Sequence, residues 1–300
     1  MRPMLSVPQG VDEKVVRDRG LYIEAKPDLD DPVPPAMRDL VRSAHAPWFM
    51  PDAPVPQTRI HLACTDETFR RRSIEVVERY IEDACSLYPN VRTIVTHNAP
   101  NYFPFPPVRP QPDEPVPPLR PDLADRQLLL DSLRHLARRC QALGVELVVE
   151  NNWAYWEGVA PDADVTQLGP GDFLEYFDIS PEDWLALPEA VGETHLSLCL
   201  DPSHAGPYCH RWPDVPQRRQ VLAQYVSQPE RIGHIHWNDS DLTDDRGRND
   251  LHLCVGTGTL GDDFHAALKA RAAQLDHPVT LEHFRDVASL DRELAYIDSL

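Results

Sequence analysis

Apolar residues in this 300-residue chain fall into eight short runs separated by longer amphipathic segments. The runs are PMLSVPQ at 3–9, LYIEAKP at 21–27, VRSAHAP at 41–47, VRTIVTH at 91–97, VELVVEN at 145–151, HLSLCLD at 195–201, RIGHIHW at 231–237 and PVTLEHF at 278–284. Most are β-branched or Leu-rich, the pattern of strands covered on both faces. Between them, Ile74, Val77, Ile81, Ala84 and Tyr88 recur at helical spacing. So do Leu129, Leu133, Leu136, Cys140 and Leu143, which Gly144 closes as a helix stop, and finally Leu290, Leu294 and Ile297. Strand alternating with helix predicts a parallel sheet with crossover helices. Eight such units predict an α/β fold in which the sheet closes into a (β/α)8 TIM barrel, one domain over residues 1–300.

Two segments break the rhythm. Residues 100–121 hold ten prolines, which suit neither helix nor central strand and predict polyproline-like backbone. This insertion, bounded at 99–122, follows a strand end and is expected as a loop on the catalytic face. Its Tyr102, Phe103 and Phe105 suit a lid over the site or a docking patch for another subunit. The other segment, 152–194, is rich in Trp and acidic residues, and its PEDWLALPEAV is expected as a short helix on the same rim.

Composition narrows the functional classes. No apolar run approaches the roughly 20 residues that span a bilayer. The N-terminus shows no secretory signal, so the expected location is the cytoplasm. Six cysteines carry no CxxC pair, and a chain this long needs no disulfide framework. Cys199 and Cys254 lie in apolar runs and are read as buried free thiols. The net charge of −19 disfavours a nucleic-acid partner, because phosphate contacts need a basic face. A small polar substrate is expected instead, with room for a homo-oligomer. Lysine occurs only at 14, 26 and 269, which reads as genome composition rather than mechanism.

The strand ends carry the chemistry. Glu150, Asp201 with His204, His236 and Glu282 each follow an apolar run. A strand that stops on a carboxylate or imidazole puts a costly polar group at one chosen end, and four in succession put them on one edge of the sheet. In a parallel barrel that edge is the C-terminal face, where active sites lie. Mixed imidazole and carboxylate donors suit a divalent metal. His45, His97 and Asp250-Leu-His252 are further candidates, also at strand ends or just beyond. His61 is a weaker competitor, in the loop after His45. His234 is read as structural and expected to face the helices.

With these motifs in place, the chain resembles the xylose isomerase-like TIM barrel superfamily, which also contains the endonuclease-IV-type AP endonucleases (AP endonuclease family 2). The likeness runs from SAHAPW to the C-terminal TLEH and is strongest over HIHWNDSDLTDDRGRNDLHLCVGTGTLG. In the sugar isomerases and epimerases, it implies one divalent metal (Zn, Mn, Mg or Co) among Glu150, Asp201, His236 and Glu282. The two glutamates would then act as acid/base catalysts through an enediolate, and His204 would bind substrate oxygens. The endonuclease branch implies three zinc ions on nine ligands, matched here by His45, His97, Glu150, Asp201, His204, His236, Asp250, His252 and Glu282. Arg246 and Arg248, in the loop before Asp250, could hold one substrate phosphate, and Asn151 is a further substrate-binding candidate. The expected function is a metal-dependent isomerase or epimerase of a sugar or sugar phosphate, with an endonuclease-IV-type multinuclear zinc phosphodiesterase as the alternative.

Overall fold

A computed structural model describes residues 3–7, 12–26, 33–97, 121–153, 155–156, 173–174, 177–243 and 251–300. Residues 99–120 of the proline-rich insertion, with Tyr102, Phe103 and Phe105, lie outside these residues, as do Arg246, Arg248 and Asp250. In chain order the strands are β1 (Met4–Val7), β2 (Tyr22–Ala25), β3 (Val41–His45), β4 (Thr93–His97), β5 (Glu146–Glu150), β6 (Tyr155–Trp156), β7 (Phe173–Leu174), β8 (Leu196–Leu200), β9 (Ile232–Ile235) and β10 (Thr280–Leu281). The helices are α1 (Glu13–Asp18), α2 (Glu67–Leu87), α3 (Arg126–Leu143), α4 (Pro181–Val191), α5 (Pro202–Cys209), α6 (Val215–Gln224), α7 (Asp262–Ala272) and α8 (Val287–Ser299).

Eight of the strands form one parallel sheet in the order β10-β1-β2-β3-β4-β5-β8-β9, while β6 and β7 make a separate antiparallel ribbon. A parallel bridge between His236 and Thr280 joins the two edges, and the Trp237 N–H donates to Thr280 O at 2.6 Å. The sheet is thus a nearly closed (β/α)8 TIM barrel. Every expected strand run contains one of its strands. The runs overshoot at their C-terminal ends, because Asp201, His236 and Glu282 stand just past their strands.

Capping explains where the helices begin. Asp66, Asp125, Ser180 and Asp286 each accept the backbone N–H of the residue three positions on. Gly144 ends α3 at φ +74°, where a side chain would be strained. The link from β2 to β3 departs from expectation. Its described part is a 3-10 turn over Pro35–Leu40 rather than an α-helix, and prolines at 34 and 35 supply no backbone donors. The segment PEDWLALPEAV is helical, as α4, but it belongs to the outer layer rather than the rim. It packs against β8, α3 and α6, and buried Trp184 donates to Val149 O at 3.3 Å. Among the described residues no helix is long and apolar enough to cross a membrane.

The main core lies between the barrel and its helices. A much smaller apolar cluster of Val95, Val148 and Cys199 sits apart from it, on the interior face. Side chains two residues apart share a face of a strand, so the interior is built in layers. Ser43, Val95, Val148, Cys199 and His234 all face the interior. Two residues further on stand His45, His97, Glu150, Asp201 and His236. The pairing of β8 with β9 shifts register between Leu198 and Cys199, which leaves Gly233 facing Ser197. A Cβ at Gly233 would lie 1.9 Å from Ser197 Oγ and 2.9 Å from its Cβ. Gly233→Ala is therefore expected to cost about 1–3 kcal/mol of stability, read by denaturant unfolding. An unchanged midpoint would contradict this packing.

Candidate metal centre

The C-terminal mouth of the barrel gathers eight of the nine sequence-predicted donors, and the ninth, Asp250, lies outside the described residues. Their donor atoms form three metal-sized groups: Glu150, Asp201, His236 and Glu282; His45, His97 and Glu150; and Asp201, His204 and His252. Each outer group shares a carboxylate with the central one. Glu150 is the hub. Its Oε1 lies 2.9 Å from His236 Nδ1 and 3.3 Å from His204 Nδ1, and its Oε2 lies 3.2 Å from His45 Nε2 and 3.1 Å from His97 Nε2. Glu282 Oε2 approaches His236 Nδ1 at 3.2 Å and His252 Nε2 at 3.7 Å, while His252 Nε2 is 3.3 Å from Asp201 Oδ2. Glu150 and His236 are fully buried.

The backbone and second row of polar groups aim these donors. Asp201 caps α5, accepting from the Ser203 and His204 N–H groups, and its two carboxylate oxygens also accept from the Asn238 amide nitrogen at 2.9 and 3.0 Å. Asn151 holds Asp201 from behind. Its amide donates to Asp201 O at 2.9 Å and its oxygen accepts the Asp201 N–H at 2.7 Å. These two bonds make Asn151 a brace for the Asp201 backbone. His252 has φ +40°, and its N–H donates to Ser203 Oγ at 3.1 Å. Its loop is tied down by Asp239, which accepts from Gly256, Gly258 and Leu260 and pairs with His265 at 3.1 Å.

His234 corrects the sequence expectation. It lies two residues before His236, so strand periodicity puts both on the same face. His234 points into the barrel, with Nε2 3.1 Å from Thr280 Oγ1 and 3.3 Å from Glu24. Burial depresses its pKa to about 4, against the pull of Glu24. Cys254 is also corrected. It sits partly exposed in a turn rather than buried in a strand, whereas Cys199 is buried, and all six thiols are free.

Sequence reading missed Glu24 and Lys26, the alternating polar residues of LYIEAKP. Their spacing of two and their place in a run that ends on a charge were the available signal. Glu24 stands 3.2 Å from His236 Nε2, leaving Nδ1 to face Glu150 and Glu282; such an outer partner sets the tautomer of a metal-binding histidine. Lys26 pairs with Glu282, and its ammonium lies 5.7 Å from the centre of the Trp48 ring. Trp48 and Trp153 wall the mouth, with Trp48 edge-on to His97 at 5.1 Å and Trp153 4.9 Å from His204. Arg59 stacks on Trp153 at 5.3 Å.

The charges are mutually dependent. Burial pushes Glu150 and Glu282 towards protonation, yet His236 with His97, and His236 with Lys26, hold them well below the usual carboxylate range. His236 is in turn held well above its usual value, against its burial, by Cys199 and the surrounding carboxylates. Desolvation keeps His97 far below its usual value and raises Asp201. Both ring nitrogens of His97 and Oε2 of Glu282 are buried without a hydrogen bond, although each faces oppositely natured donors close by. Imidazole nitrogens converging on carboxylate oxygens fit divalent cations.

His61 takes no part in the three groups. It is 2% exposed, neither ring nitrogen has a hydrogen bond, and burial lowers its pKa to about 3. Because the unfolded chain binds the proton more tightly, stability falls as pH drops below about 6.5. The expected loss is about 2 kcal/mol between pH 7 and 5. His61→Leu should remove that share of the pH dependence in parallel unfolding curves; identical slopes in both proteins would refute it.

Comparison with known proteins follows the fold. The sequence matches the family described as xylose isomerase-like TIM barrel over residues 36–300. No curated protein matches the chain. Among solved structures, a D-tagatose 3-epimerase-like protein aligns with a TM-score of 0.64 at 16% identity, covering 100% of this chain and 98% of that one. The TTHB071 protein of Thermus thermophilus, soaked with ZnCl2, gives 0.58 at 23% identity over 100% and 99%. Endonuclease IV of the same organism gives 0.56 at 18% identity over 100% of both chains. At these identities the likeness is one of fold.

Proposed function

The chain belongs to the xylose isomerase-like TIM barrel family, and from that premise we propose that it is a divalent-metal-dependent hydrolase of small phosphoesters, with a centre for more than one ion. One observation carries this reading: the three donor groups are fused through Glu150 and Asp201. A one-ion isomerase needs Glu150, Asp201, His236 and Glu282, with His204 on substrate oxygens, and gives His45, His97 and His252 no common task. Divalent ions bound there would supply Lewis acidity, neutralising phosphoryl charge and lowering the pKa of water.

The chain's own residues do the rest. Glu24 fixes the His236 ring, Asn151 and Asn238 fix Asp201, and the Asp239-clamped loop presents His252. Lys26 brings a cation to the mouth beside Glu282, where burial strengthens its attraction for an anionic substrate. Trp48 and Trp153 exclude water from that wall. The net charge of −19 suits a small phosphoester better than a polyanionic duplex.

A second reading, sugar isomerisation or epimerisation, draws support from Glu150 and Glu282. Both meet the same His236 nitrogen, at 2.9 and 3.2 Å. Two carboxylates so placed can take a proton beside a carbonyl and return it.

Ion counting separates the readings first. Native mass spectrometry of zinc-loaded protein should show at least two ions at the mouth that His97→Ala reduces while one remains. An ion count unaffected by His97→Ala would favour isomerisation. Turnover separates them next: hydrolysis of chromogenic phosphoesters is expected, without solvent deuterium entering the carbon beside the carbonyl of aldoses or ketoses. Under either chemistry, Glu150→Gln and Glu282→Gln should keep the fold and lose roughly 10²-fold or more in turnover. Near-normal activity in either variant, with metal bound, would remove the assignment of that carboxylate.

A further inference from the structure

We infer that Cys254, His283 and Glu293 form a separate structural zinc site behind the barrel mouth. It is independent of the reaction proposed above. The three residues come from distant parts of the sequence. Cys254 lies in the loop two positions past His252, His283 directly follows Glu282, and Glu293 stands on α8. One donor atom from each lies within 4.8 Å of the others. Because Glu282 turns into the mouth, alternation along the chain sends His283 the other way, towards α8.

Glu293 is 3% exposed, and its Oε1 accepts the Val255 N–H at 2.6 Å and faces His283 Nε2 at 2.8 Å. Imidazole and carboxylate thus meet at a separation a cation can bridge, as the donors at the mouth do. Capping Val255 would need Glu293 alone. Thiolate, imidazole and carboxylate together suit zinc, a borderline-soft ion bound by all three, with water completing the tetrahedron. Partly exposed Cys254 leaves a route for that water and for the ion.

An ion there would tie the His252 loop and the end of β10 to the last helix. Those two segments carry His252 and Glu282, so the site would brace one side of the mouth centre without touching substrate.

The test is thiol protection. Cys254 alkylation is followed by peptide mapping with and without stoichiometric zinc, with partly exposed Cys85 as the internal reference. Zinc should slow alkylation of Cys254 by roughly 10-fold or more, as thiolate ligation blocks the nucleophile, and leave Cys85 unchanged. The slowing should persist in Asp201→Asn, which disables the mouth centre, and vanish in His283→Gln. No slowing in the wild type, equal slowing in His283→Gln, or loss of slowing in Asp201→Asn would each overturn the site. Cobalt substitution provides a second measurement that does not depend on His283→Gln folding. A thiolate-to-cobalt charge-transfer band should appear in the near ultraviolet and be lost in Cys254→Ser. A spectrum unchanged by Cys254→Ser would overturn the proposal as well.

Discussion

Desolvated charge at the barrel mouth is the constraint to which the rest of the structure answers. Four carboxylates, Glu24, Glu150, Asp201 and Glu282, are packed with six imidazoles at the buried end of the barrel. An isolated buried carboxylate is too costly to persist ionised, so each must be met by a cation or a donor. Lys26 and His236 meet part of that demand. Glu150, touched by four imidazoles, is where the rest concentrates. The proposed cation-binding centre rests on this shortage of positive charge as much as on the identity of the donors.

Such a centre requires a rigid surround, and the polar groups behind the donors provide it. Asn151 bonds the Asp201 backbone through both its amide nitrogen and its oxygen, and the Asn238 amide nitrogen donates to the Asp201 carboxylate. Asp239 gathers three backbone N–H groups of the glycine-containing loop. Gly258 has to be glycine for this, since a Cβ would fall 2.4 Å from Asp239 Oδ1. The His252 loop thus owes its position to a buried carboxylate that never reaches the mouth. Its partner His265 lowers the Asp239 pKa against the effect of burial, so the clamp stays charged.

Lining the interior in steps of two couples the fold to the chemistry. Where β3, β4, β5, β8 and β9 put His45, His97, Glu150, Asp201 and His236 at the mouth, the positions two residues earlier hold Ser43, Val95, Val148, Cys199 and His234. The lower layer is small, apolar or hydrogen-bonded inward, and it floors the site. Glu24 and His234 sit in that floor and lean on His236 and Thr280, so the lower layer sets the orientation of the upper one.

The barrel was legible in the chain because its signals are local: eight apolar runs, helical stripes, acidic or Ser caps, and Gly144 as a stop. The donors were legible for a related reason, since a carboxylate or imidazole ending a buried strand conflicts with its surroundings in a way one segment can reveal. Glu24 and Lys26 escaped notice because their importance lies in what they meet across the barrel, 256 positions away for Lys26 and Glu282. His234 was misplaced although the two-residue period was available in the sequence. The bond from Asn151 to the Asp201 backbone spans 50 positions, and α4 was assigned to the rim because a helical stripe does not say which layer it packs in. Local propensity and periodicity belong to the sequence by itself. Which polar groups share a desolvated space, and how each must be charged there, depends on closure of the sheet, which brings β10 beside β1 and His236 beside Thr280.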